Sequence, residues 1–283
     1  MGKAMIKAVF VGMSALLALA SAQPAFAAGC ANAAVTIGQS KIHADLEGTG
    51  TLTVVFESGN GEGADAWAGV VARARAMGVR TLVYDRAGLG SSSPRRGRYS
   101  IDRDVDDLRA LLTACRVRGP IVIAAHSYGG FIALRTAARD RRVRGLVLVD
   151  ANVPGFFDRA ETDAILAEYR PQYDAVRRQA PALAATLIPV IEAYPTSATT
   201  LRATRLPRGL PIIDIVAEKS WLSTDEALAR WRAAHAQFVA EDRARSSVFA
   251  AGSGHHVMRD KPELVIDAID HMVRKVIALR SGR

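Results

Sequence analysis

The segment Ile121-Val122-Ile123-Ala124-Ala125-His126-Ser127-Tyr128-Gly129-Gly130-Phe131 sets one serine among small residues, after an apolar run and before a helical pattern. A serine so placed occupies a sharp strand-to-helix turn. Its Oγ projects outward, and the backbone N–H of Tyr128 points toward any oxyanion formed there. An ordinary glycine-rich turn is the structural alternative, and the strand and helix patterns on either side argue against it. A serine hydroxyl attacks a carbonyl only when a base removes its proton, so an imidazole is required. His255 meets the need: Ala251-Gly252-Ser253-Gly254-His255-His256-Val257 follows a strand pattern and is flexible enough to aim a ring back over a sheet. His256 is its rival. His126 adjoins the serine, but its side chain points the other way and reads as packed. His43, His235 and His271 have no partners in sequence.

The elements that must hold these residues alternate. Short β-branched runs at Lys41–Leu46, Thr51–Phe56, Arg80–Tyr84, Ile121–Ala125, Val143–Val149, Ile212–Val216 and Ser247–Ala250 predict strands. The middle runs are apolar throughout, as strands covered on both faces are. Helical patterns fall at Asp65–Met77, Ile101–Ala114 and Gly129–Ala138, and another begins near Pro262. In the second of these, Val105, Leu108, Leu111 and Leu112 form one stripe and Ser100 is placed to cap it. The order predicts an α/β fold with a mostly parallel central sheet flanked by helices. Residues 151–210 break the alternation. They have helical periodicity, five aromatics and no strand, and are too long for a plain loop, so a helical lid is expected there. The core is then 28–150 together with 211–283.

Four segments, in this order, resemble the α/β-hydrolase superfamily over nearly all of the chain after the first 27 residues. Glu57-Ser58-Gly59-Asn60-Gly61 is similar to the oxyanion loop. Tyr84-Asp85-Arg86-Ala87-Gly88-Leu89-Gly90-Ser91-Ser92 is similar to the loop after the next strand, and His126–Gly130 and Gly254-His255 complete the set. The resemblance implies an oxyanion hole made by the N–H groups of Asn60 and Tyr128. Two departures stand out: Ala125 replaces the first glycine of the elbow, and Glu57-Ser58 stands where the family commonly has a histidine. The family usually takes its acid after the strand Ile212–Val216, where this chain offers Glu218 and then Asp225. Some branches take it one strand earlier, where Val147-Leu148-Val149 leads into Asp150. Asp150 is favoured because Ser223 and Glu226 have capping-box spacing, which explains Asp225 as a first-turn charge.

The resemblance implies a serine hydrolase acting on an ester or related acyl bond through Ser127, His255 and Asp150, with no cofactor. A C–C bond, lactone or amide hydrolase with the same triad is the alternative, as is a small-molecule receptor on the same scaffold. The glycines of Gly59-Asn60-Gly61-Glu62-Gly63 followed by Asp85 mimic a dinucleotide site, but the spacing departs from G-x-G-x-x-G.

Composition narrows the setting. The chain has 283 residues, 49 % of them hydrophobic, enough for a large core. Residues 1–27 read as a cleaved export signal: Lys3 and Lys7, an apolar run from Ala8 to Ala20, then Ala25-Phe26-Ala27. The run is too short for a stable membrane anchor, so a periplasmic or secreted protein is expected. The net charge of +9 raises nucleic acid as a partner, but the basic clusters at 95–98 and 139–144 are short and lack interleaved aromatics. The two cysteines, Cys30 and Cys115, would meet in an oxidising compartment, and one disulfide is the simplest pairing. No cysteine and histidine fall at zinc-ligand spacing, so no metal site is read. Six acids and seven arginines in 151–210 leave the lid's charge balanced, and its aromatics suggest a small, partly apolar acyl substrate.

Overall fold

The computed structural model describes residues 30–281. The export signal expected over 1–27 lies outside them. In chain order, β1 (Ala33–Ile37), β2 (Ser40–Gly48), β3 (Thr53–Glu57), α1 (Ala68–Arg75) and β4 (Arg80–Tyr84) lead into α2 (Ile101–Ala114), β5 (Ile121–His126), α3 (Gly129–Arg139) and β6 (Val143–Val149). Four helices follow: α4 (Arg159–Tyr169), α5 (Tyr173–Gln179), α6 (Pro181–Glu192) and α7 (Tyr194–Arg202). The chain then returns through β7 (Ile212–Ala217), α8 (Asp225–Ala240), β8 (Arg245–Ala250), α9 (Val257–Asp260) and α10 (Pro262–Ser281).

The eight strands form one sheet in the order β1-β2-β4-β3-β5-β6-β7-β8. The pairs β1–β2 and β2–β4 are antiparallel, and every pairing from β4 to β8 is parallel. Period-two alternation divides the central strands between two cores. Ile121, Ile123 and Ala125 of β5 join the layer containing α2 and α3, while Val122 and Ala124 join Trp67, Val70, Val265 and Ile269 on the opposite face. A strand buried on both sides has no polar face, which is why β5 reads as an unbroken apolar run.

Local details correct the sequence reading. β1 went unread; it is an edge strand whose residues alternate between half-buried and exposed, with only its last residue fully buried. The helix expected at Asp65–Met77 is a 3₁₀ turn at Ala64–Trp67 followed by α1. Ser100 does precede α2, but its side chain makes no cap bond; its carbonyl accepts from the Arg103 N–H. The cap of α8 is Thr224, whose Oγ1 accepts from Ala227 N at 3.1 Å, in place of Ser223. Cys30 and Cys115 are joined, tying the start of the described chain to the end of α2.

Candidate active site

The C-terminal ends of β3, β5, β6 and β8 lie along one edge of the sheet, and each turns there into a loop that carries a reactive or polar residue. Ser127 follows β5 with φ 50°, and Asp150 follows β6 with φ 41°. Both lie in the left-handed region, which costs a non-glycine residue about 1–3 kcal/mol and persists only because its surroundings enforce it. The Ser127 carbonyl accepts from Gly130 N at 2.9 Å and from Asn152 N at 2.8 Å, and Asp150 N donates to Ile215 O at 2.7 Å. Gly129 and Gly130 make the elbow close enough to form. A Cβ on the first would sit 2.6 Å from Glu57 O, and one on the second 2.8 Å from Asn152 O.

Asp150 is wholly buried and fully hydrogen-bonded. Oδ1 accepts from Ala217 N at 3.1 Å and from Trp231 Nε1 at 3.0 Å. Oδ2 accepts from Ser220 Oγ at 2.5 Å and lies 2.6 Å from His255 Nδ1. Burial alone would raise this carboxyl. The hydrogen bond and charge of His255, joined by Ser220 and Trp231, outweigh it and hold Asp150 below the usual carboxylate range. Ser127, His255 and Asn60 line one cavity of about 310 Å³. Ile165, Tyr169, Leu187, Ile191 and Tyr194, all from α4, α6 and α7, supply much of its apolar wall, with Trp221 beside them.

The sequence departure at Glu57-Ser58 has a structural counterpart. Arg86, from the loop after β4, is buried and donates to Glu57 Oε1 at 2.6 Å, to Ser58 O at 2.6 Å and to Gly59 O. Tyr84 OH donates to the other Glu57 oxygen. Burial raises the Glu57 carboxyl to about 6 even against the adjacent Arg86 charge. With the Gly59 carbonyl turned toward Arg86, the trans peptide directs the Asn60 N–H the opposite way. The N–H groups of Asn60 and Tyr128 have no protein acceptor among the described residues.

Of the residues singled out from sequence, Ser127, His255, Asp150 and Asn60 are brought together, with Tyr128 opening α3 behind the serine. Asp225 sits in the first turn of α8, and Glu218 accepts from Gly252 N at 2.9 Å, whereas the carboxylate paired with the His255 ring is that of Asp150. The rival His256 instead meets Glu62, its Nε2 3.0 Å from Oε1. His126 is packed as expected, yet it also reaches the cavity and places Nδ1 2.7 Å from Glu62 Oε2. Burial works against ionisation of Glu62, but these two histidines and the Gly59 N–H pull its carboxyl down to about 2. Two histidines that seemed unpartnered have partners: His235 pairs with buried Asp214 at 2.8 Å, and His43 Nε2 lies 3.0 Å from Asn32 Oδ1. Glu62, Arg86 and Trp231 escaped the sequence reading because their partners are remote along the chain.

The alpha/beta hydrolase family model matches residues 54–268, which span all four loops just described. The chain belongs to this family. It is 26 % identical over 225 residues to the uncharacterized protein YqjL of Bacillus subtilis (strain 168), covering 79 % of this chain and 84 % of that protein. Two solved structures share the fold at low identity. A thermophilic esterase from Thermogutta terrifontis matches at 20 % identity and TM-score 0.59, covering 87 % of this chain and 97 % of its own. A carboxylesterase structure from Nitrososphaera gargenis matches at 17 % and 0.67, covering 86 % and 98 %.

Proposed function

We propose that this family member is an exported serine hydrolase cleaving an ester or related acyl bond. The observation that carries the reading is the 2.6 Å contact between His255 and Asp150, made at the sheet edge where Ser127 faces the same cavity. Ser127 Oγ attacks the acyl carbon while His255 Nε2 takes the hydroxyl proton. Asp150 holds Nδ1–H and offsets the imidazolium charge, and the N–H groups of Asn60 and Tyr128 receive the oxyanion. His255 returns the proton to the departing alkoxide, leaving an acyl-serine. Water, deprotonated by the same histidine, then attacks that ester, releasing the acid and restoring the Ser127 hydroxyl. No step draws on a cofactor.

Helices α4 to α7 act in this reading as a cap over the cavity, and their side chains favour a small, partly apolar acyl or alcohol group. The Cys30–Cys115 bond supports maturation outside the cytoplasm, because disulfides persist in oxidising compartments. A fluorophosphonate probe tests the nucleophile directly. Ser127 should be labelled stoichiometrically, and Ser127→Ala should lose both labelling and at least ~10³-fold of aryl ester turnover. A folded chain left unlabelled, with turnover of the variant within tenfold of wild type, would remove the serine mechanism.

A further inference from the structure

We propose that Glu62, His126 and His256 form a binding site for a divalent transition-metal ion of the zinc type, beside the nucleophile. One ligand atom from each residue lies within 4.8 Å of the other two, and all three residues line the cavity. Two imidazoles and a carboxylate are a donor set that zinc accepts while keeping a fourth position open.

The hydrogen bonding of His126 points to a cation here. Its Nε2 lies 3.1 Å from the His255 carbonyl oxygen, which can only accept, so the ring satisfies that contact in the tautomer protonated at Nε2. In the neutral ring Nδ1 is then a bare lone pair, and it faces a carboxylate oxygen at 2.7 Å. A cation between them satisfies both acceptors at once. A metal ion at Nδ1 leaves the ring neutral and preserves the Nε2–H bond to a backbone carbonyl. That outer contact is the one which orients ligating histidines. Around Glu62, the Gly59 N–H donates to Oε2 at 3.0 Å and Arg259 lies 3.7 Å from Oε1. Arg259 is half exposed, so it can turn into solvent as a dication enters.

Occupancy has a consequence for the neighbouring base. The His255 ring stands 4.6 Å from that of His126 and 5.5 Å from that of His256. An ion there, with its open coordination position, takes up room in the cavity that Ser127 and His255 also line, so the loaded enzyme turns over more slowly. This inhibition rests on the serine-hydrolase reading; the binding site does not.

The test uses chelator-stripped Ser127→Ala protein, titrated with zinc chloride by calorimetry and with cobalt(II) by visible absorption. One ion per chain and tetrahedral cobalt bands are expected. Glu62→Gln and His256→Ala, each checked for fold by circular dichroism, should weaken binding by at least ~tenfold. Folded protein that takes up no zinc at millimolar concentration, or zinc binding that neither substitution weakens, overturns the site. In the chain retaining Ser127, zinc should lower aryl ester turnover and chelator should restore it. Unchanged turnover with zinc held by these ligands overturns the inhibition. Zinc binding in a chain that the fluorophosphonate leaves unlabelled would uphold the site and remove the hydrolase reading.

Discussion

Trp231 donates its indole N–H to Asp150 Oδ1 at 3.0 Å, while His255 takes the other oxygen of the same carboxylate at 2.6 Å. The indole sits on α8 and packs against Phe156 and Trp221. The carboxylate is therefore oriented by two elements distant in sequence before any substrate arrives. Asp150→Asn should lower kcat by up to ~10⁴-fold, because an amide supports the wrong imidazole tautomer. Trp231→Phe should cost much less, and Asp225→Asn almost nothing. Steady-state kinetics on an aryl ester would rank the three, and a larger effect at Asp225 would move the acid away from Asp150.

Arg86 grips the carbonyls of Ser58 and Gly59, so its fork geometry sets the direction of the Asn60 N–H. Arg86→Lys keeps the charge beside Glu57 but loses the second arm. A fall of about 10²-fold in kcat with little change in KM is expected, the scale of a displaced oxyanion donor. Retained kcat would show that the loop holds itself.

Glu62 predicts an acid-side effect on stability. Its folded carboxyl titrates near 2, below its ordinary 4.5. The stabilisation it confers is complete above pH 4.5 and is lost as pH falls toward 2. Glu62→Gln should cost about 2 kcal/mol at neutral pH, the scale of one charge-assisted bond, and the gap should close in acid. Melting temperatures of both proteins between pH 2 and 7 would reveal a constant offset if the carboxylate contributes nothing.

The Trp221 indole nitrogen is buried and has no hydrogen-bond partner among the described residues, although the residue lines the cavity. A substrate oxygen can satisfy that donor. Trp221→Phe preserves most of the apolar wall and should raise KM several-fold for esters carrying an acceptor group, leaving purely hydrocarbon chains unaffected. Equal changes across an ester panel would assign the tryptophan to packing alone.

Reduction of the Cys30–Cys115 bond releases a loop with a sequence separation of 85. The chain-entropy relation gives roughly 4 kcal/mol for a closure of this length. Thermal melts with and without reductant should differ by several degrees, and intact mass before and after alkylation should find no free thiol in the untreated protein.

The sequence disclosed the features whose causes are local. The turn that carries Ser127 could be read because strand, small residues and helix are contiguous. The place of Asp150 at the end of β6 could be read because Val147, Leu148 and Val149 lead straight into it. The strands Arg80–Tyr84 and Val143–Val149 and the helix Ile101–Ala114 match the structure residue for residue. The features that escaped depend on closure of the fold. Glu62 meets His256 across 194 positions, and Trp231 meets Asp150 across 81. No periodicity encodes such pairs. β1 escaped for the opposite reason: an edge strand against a single neighbour shows only weak alternation.

The left-handed turn at Ser127 bears on how variants of this protein should be selected. Glycine adopts φ 50° without penalty, so Ser127→Gly would gain up to about 1 kcal/mol while removing the proposed nucleophile. A library sorted by heat resistance alone would enrich molecules that survive the oven and do nothing. Any campaign to toughen this scaffold must score turnover in the same round.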